Sequence, residues 1–308
     1  MKISISMDMK RFDLLGGVDA GFAALKEAGF EAIEFAIDPV DLTWDEICAG
    51  KESAMFTDEN LAKIAKELKE ASAKYGIALD QCHAPAPVYV SGKPEGTAQV
   101  RKNVAKVLDF CGECGFKHVV IHPSFDGSAR FPKLTHEDEI AENISYYSSI
   151  IPLLKKNNLI CCLENMFGQD WKTKKIYTAC CSDMRDSVYY IDTLNEMAGE
   201  KRFGFCLDIG HLLLLGLDAM NAMVTLGDRM VAFHIHDNDG VNDLHIEPFS
   251  GLTNWQRFVK GVRTVGYKGN LNFELGGSWT KFPPELIPAM LRLVAEEGKY
   301  FRNKILAE

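Results

Sequence analysis

The feature that most constrains this chain is a strict alternation. Eight short apolar runs, at 2–7, 32–37, 77–83, 118–122, 159–164, 204–208, 230–236 and 270–275, are separated by longer amphipathic segments. Helical segments are expected at 57–75, 97–114, 136–157, 185–198, 217–228, 254–266 and 284–302. In the first of these, Leu61, Ile64, Ala65 and Leu68 recur at helical spacing and make one apolar stripe, and Thr57 or Asp58 can cap it. Gly29, Gly76, Gly115 and Gly266 stand just before the next strand, where a helix end often needs a left-handed residue. Strand–helix units in series imply a parallel sheet with right-handed crossovers. Eight units in 308 residues leave about 38 residues each, which fits an α/β (β/α)8 TIM barrel spanning 1–308 as a single domain. A doubly wound sheet fits less well, because no GxGxxG turn follows the first strand.

Composition removes several function classes. No apolar stretch approaches 18 residues, so no membrane span is expected. The net charge of −9 disfavours contact with nucleic acid or an anionic membrane. Nine cysteines, an odd number with adjacent pairs at 161–162 and 180–181, suit reduced thiols and a cytoplasmic location. The N-terminal residues lack the apolar core of a signal peptide.

The chemistry collects where the strands end. From residue 77 onward the runs finish in His83, His122, Glu164, Asp208, His234 with His236, and Glu274. In a barrel these ends meet at the C-terminal face, where active sites of this fold are built. Alone, each could be a structural polar group. Together, several carboxylates at one mouth repel strongly unless a cation sits among them. Two glutamates, an aspartate and an imidazole form a hard, oxygen-rich donor set. It suits Mn2+ first, then Mg2+, Co2+ or Zn2+, and a slightly anionic site of this kind suits a neutral polyol or ketose. Phe125, Phe167, Trp171, Trp279 and Trp44 lie beyond strand ends and could stack on a sugar ring or equally cap the core.

The motifs CHAP (82–85), IHP (121–123), CLEN (162–165), CLDIGH (206–211), FHIHDND (233–239), DLHIEPFSG (243–251) and NFEL (272–275) together resemble the xylose-isomerase-like TIM-barrel superfamily. That group holds D-tagatose 3-epimerase-type ketose epimerases, hydroxypyruvate isomerase, inosose dehydratase and endonuclease IV. The resemblance implies a divalent metal held by Glu164, Asp208, His234 and Glu274. His234 precedes Asp237 by three positions, as the family ligand does, and His236 stands in the same relation to Asp239. It also implies that His211 contacts a substrate oxygen, and that Glu164 and Glu274 transfer protons across an enediolate. His83, His122, His236, Asp243 and His245 would bind substrate or additional metal. The expected activity is a metal-dependent sugar isomerase or epimerase acting on a small carbohydrate, with a homo-oligomer as the family expectation. Two alternatives stay open. One is an endonuclease IV-like phosphodiesterase, whose larger ligand set is also present here. The other is a sugar dehydratase or lyase on the same scaffold.

Overall fold

The computed structural model describes residues 1–125, 134–170 and 172–307. Trp171, one of the aromatic candidates, lies outside them. Ten strands occur among the described residues: β1 (Ile3–Met7), β2 (Ala32–Ala36), β3 (Ala78–His83), β4 (His118–Val120), β5 (Ile160–Glu164), β6 (Phe167–Gln169), β7 (Ile176–Thr178), β8 (Phe203–Asp208), β9 (Met230–His234) and β10 (Leu271–Phe273). Eight of them form one sheet in the order β10-β1-β2-β3-β4-β5-β8-β9. Just past β9, Ile235 pairs in parallel with Phe273 of β10, which joins the two ends of that order. The result is a (β/α)8 barrel with a helix between successive barrel strands, as the alternation requires. β6 and β7 form a separate antiparallel hairpin.

The chain packs as two compact units. The first comprises 1–35, 67–80 and 206–308. Here β1 runs parallel to both β2 and β10, with Ile5 opposite Ile33 and Phe273. β1 is buried along its whole length, so an apolar run reads as a strand covered on both faces. Phe12 stacks on Phe22 of the helix Val18–Ala28 with ring centres 5.5 Å apart. The C-terminal helix Ile287–Leu306 buries Leu291, Val294 and Phe301. It approaches β1 so closely at Gly298 that an added Cβ would lie 2.6 Å from Ile3 Cγ2. Glycine there lets the helix seat directly on the strand.

The second unit comprises 36–66 and 81–205. β3, β4 and β5 pair in parallel, with Cys82, Val119 and Cys161 in one row. The helix Pro94–Cys114 buries Val100, Val104, Val107, Leu108 and Cys111, which places the Cys111–Cys114 pair on its core face. Tyr147 donates its hydroxyl to Ile121 O (2.7 Å), and Asn143 braces Ser124 through both its amide and its backbone carbonyl (2.7 and 2.8 Å). These bonds fix the chain just after β4, where His122 stands. No helix of the described residues is long and apolar enough to cross a membrane.

Candidate metal centre

In the first unit the polar groups converge past the ends of β8, β9 and β10. Asp208 closes β8 and caps the next helix, with Oδ1 accepting from His211 N at 2.6 Å. That cap explains the CLDIGH spacing: the aspartate that ends the strand starts the helix that carries His211. His234 closes β9 and is fully buried. Its Nε2 lies 2.9 Å from Glu34 Oε1. Its Nδ1 faces Asp208 Oδ2 at 3.8 Å and Glu274 Oε2 at 3.4 Å. Glu34 is an acceptor when ionised, so the proton of this imidazole belongs on Nε2 and the lone pair on Nδ1 points toward two carboxylates. A lone pair and two anions turned to one point is unfavourable unless a metal cation lies between them or a second proton sits on Nδ1. A divalent ion fits this donor set: one imidazole nitrogen and two hard oxygens, with a carboxylate bonded to the far side of the histidine.

A second cluster lies beside the first. Donor atoms of His211, His236, Asp243 and His245 all lie within 4.8 Å of one another. Asp243 Oδ2 is 2.9 Å from His245 Nε2 and 3.6 Å from His211 Nε2. Burial pushes the Asp243 carboxyl up, but hydrogen bonds from His211 and His245 outweigh it and hold the group well below the usual carboxylate range. Burial likewise opposes charge on His245, yet Glu274 and Asp243 beside it raise the imidazole to about 9. His236 stacks on His245 at 3.9 Å and directs Nε2 to both oxygens of Asp208 (3.1 and 3.0 Å). The space for its ring is provided by Gly210, where an added Cβ would lie 2.0 Å from His236 Cε1.

Backbone close approach fixes the segment that carries Asp243 and His245. A Cβ on Gly277 would lie 1.8 Å from Leu244 O, and Gly277 N bonds to His245 O (3.0 Å). His245 itself has φ 45°, a left-handed value uncommon outside glycine. Asp237 anchors the following loop, accepting from the backbone N–H groups of Asn238, Gly251 and Thr253 and from Trp255 Nε1. A cavity of about 290 Å³ opens over this face, lined by Arg11, Asp243, Leu244, His245, Glu274, Gly276 and Gly277.

In the second unit, His83 at the end of β3, His122 just past β4 and Glu164 at the end of β5 form a cluster of their own. His83 Nδ1 lies 2.9 Å from Ala84 O, which accepts only, so Nδ1 carries the proton and Nε2 the lone pair. That Nε2 is 3.1 Å from His122 Nε2 and 3.8 Å from Glu164 Oε2, and His122 Nε2 is 3.2 Å from the same oxygen. Two imidazole nitrogens and a carboxylate again face one point, and this arrangement too suits a divalent cation.

The structure thus brings Asp208, His234 and Glu274 together, and gathers His211, His236, Asp243 and His245 beside them. His83, His122 and Glu164 meet within the second unit. Among the aromatic candidates, Trp279 is buried with Arg11 6.0 Å from its ring, while Trp44 is largely exposed. Sequence reasoning missed Glu34 and Asn272. Glu34 reads as part of an apolar strand, and its signal was a lone acid within AIEFAI. Asn272 donates Nδ2 to Glu34 Oε2 at 3.0 Å. Arg11, on the helix after β1, was also missed and has no distinguishing signal in DMKRFD.

A parallel barrel whose strand ends carry clustered imidazoles and carboxylates defines a class of barrel proteins with donor sets that could hold metal ions. The chain belongs to the xylose isomerase-like TIM barrel family, whose model matches residues 22–296. An uncharacterized protein of Sinorhizobium fredii is 39% identical over 71 residues, so the chain spans 23% of that relative's length and the match covers 23% of this chain. Among solved structures, a D-tagatose 3-epimerase-like protein superposes with a TM-score of 0.66 at 18% identity, covering 96% of this chain and 99% of its own. The 3-keto-D-glucoside 4-epimerase of E. coli superposes with a TM-score of 0.68 at 15% identity, covering 98% and 100%. At these identities the structural likeness is one of fold.

Proposed function

We propose that this protein is a divalent-metal-dependent sugar isomerase or epimerase acting on an open-chain ketose or a keto-sugar derivative. One observation carries the reading: His234, bonded to Glu34 through Nε2, turns Nδ1 toward the carboxylates of Asp208 and Glu274. Family membership and the names of two structures of the same fold, one a 3-keto-D-glucoside 4-epimerase and one a D-tagatose 3-epimerase-like protein, support the choice of chemistry. Asp208, His234 and Glu274 are the ligands proposed from this geometry, and the family resemblance adds Glu164. Mn2+ is the ion proposed for so oxygen-rich a set.

When bound, such an ion supplies Lewis acidity at the substrate carbonyl, an effect of several kcal/mol. The chain's own residues do the rest. Glu164 and Glu274 are the proton-transferring pair: one carboxylate removes the proton on the carbon next to the carbonyl, and the other returns one. His211, held by the Asp208 cap and by Asp243, donates to the oxygen on which negative charge grows. Asp243 and His245, fixed by the Gly277 contact, bind substrate hydroxyls. Dehydration that starts with the same proton abstraction uses the same groups.

The test is exchange of the substrate carbon-bound proton with solvent deuterium, over free ketoses, keto-glucosides and phosphorylated sugars with added Mn2+. Glu164→Gln and Glu274→Gln should each abolish the exchange that the wild type catalyses. Exchange unchanged in both variants would end this mechanism.

The second reading is an endonuclease IV-like phosphodiesterase. The His83–His122–Glu164 cluster and the His211–His236–Asp243–His245 cluster favour it, because each offers a complete set of donors beyond those one ion needs. Metal counting separates the two. Three zinc ions per chain with cleavage of abasic DNA support the hydrolase, and one manganese ion without cleavage supports the sugar enzyme.

A further inference from the structure

Glu34 is a fully buried carboxylate in the middle of β2, and neither the motif set nor the proposed proton transfers use it. An ionised carboxylate placed there is costly unless hydrogen bonds satisfy it. The structure supplies them on both oxygens: His234 Nε2 at 2.9 Å on Oε1 and Asn272 Nδ2 at 3.0 Å on Oε2. The three residues come from β2, β9 and β10, so each partner is fixed by strand backbone and not by a loop.

We infer that Glu34 is a positioning residue for the metal centre. By accepting from Nε2 it holds the proton of His234 on that nitrogen, and so keeps the Nδ1 lone pair aimed between Asp208 and Glu274. Asn272 orients the carboxylate in turn. The inference rests on the metal-binding reading given above, and it adds a determinant of affinity that touches neither metal nor substrate. Outer partners of this kind typically change metal affinity by about 10–100-fold when removed.

Mn2+ affinity of the metal-free protein, measured by calorimetry, reads the effect without any substrate. Glu34→Ala should weaken Mn2+ binding at least tenfold. Glu34→Gln should fall between Glu34→Ala and wild type, because its amide oxygen can still accept from Nε2 once the Asn272 amide turns over to accept from the new NH2. The second readout is the His234 Nε2–H signal in nitrogen-resolved NMR of the metal-free protein. It should exchange slowly in wild type, remain in Glu34→Gln and be lost in Glu34→Ala. If Glu34→Ala does not fold, Glu34→Gln alone decides, with Mn2+ affinity weakened severalfold expected. Affinity within twofold of wild type in the folded variants overturns the inference. A wild type that binds no Mn2+ but shows the protected Nε2–H overturns the metal-dependent reading instead, leaving the Glu34–His234 bond in place.

Discussion

Glu297, in the C-terminal helix, offers a test of the first unit's electrostatics that involves no proposed ligand. It is 9% exposed, and its Oε2 has no hydrogen-bond partner. Burial, reinforced by the Glu247 and Asp237 carboxylates, raises its carboxyl from 4.5 to about 8. Both neighbours are bonded elsewhere: Glu247 accepts from Ser278 and Ser250, and Asp237 from four donors. A carboxyl whose folded pKa lies above its unfolded value favours folding in its protonated form. Its contribution is complete below about pH 4.5 and is lost progressively as the pH climbs through about 8. At about 1.4 kcal/mol per pH unit, the interval sets an upper bound of roughly 5 kcal/mol, and relaxation around the charge brings the expectation to about 2–3 kcal/mol. Glu297→Gln keeps the shape and removes the titration. Denaturant midpoints should nearly coincide with wild type at pH 5 and exceed it increasingly toward pH 8.5. A stability difference that does not change between those two pH values would refute the reasoning.

Other perturbations have equally definite outcomes. Saturating Mn2+ should raise the thermal midpoint of wild type, with about 2.7 kcal/mol gained at one hundred times Kd, and Asp208→Asn should remove that increase. Gly210→Ala drives a methyl group into His236, 2.0 Å from Cε1, and should cost about 2–3 kcal/mol by chemical denaturation while weakening Mn2+ binding. Asp237→Ala orphans three backbone donors and the Trp255 indole, and should cost about 3–5 kcal/mol, read by denaturation followed through tryptophan fluorescence.

What the chain reveals before folding follows from how local each signal is. β1 and β2 are short, mostly apolar runs, so their length announces them, and the structure trims each expected run by one residue. Thr57 caps the helix Asp58–Tyr75 as its sequence suggests, accepting from Asn60 N. The segment 136–157 reads as one helix but is two, His136–Ser149 and Ile151–Lys156; Pro152 stands in the first turn of the second, where its missing N–H costs nothing. The β6–β7 hairpin escapes notice because three-residue strands carry no period. Its pairing depends on Tyr177 packing over Gly168, a contact across nine residues that no window displays.

The site divides along the same line. Histidines and acids at strand ends are visible because polarity interrupts an apolar run where the strand stops, at the face on which this fold builds its sites. Glu34 breaks its run too, but at the centre of a strand, where a buried carboxylate makes sense only beside His234 and Asn272, about 200 and 240 residues away. A single sequence therefore displays candidate ligands readily and conceals the groups that orient them. In this protein those hidden partners decide which imidazole nitrogen faces Asp208 and Glu274, and the strand-end pattern alone would serve equally well with His234 turned the other way.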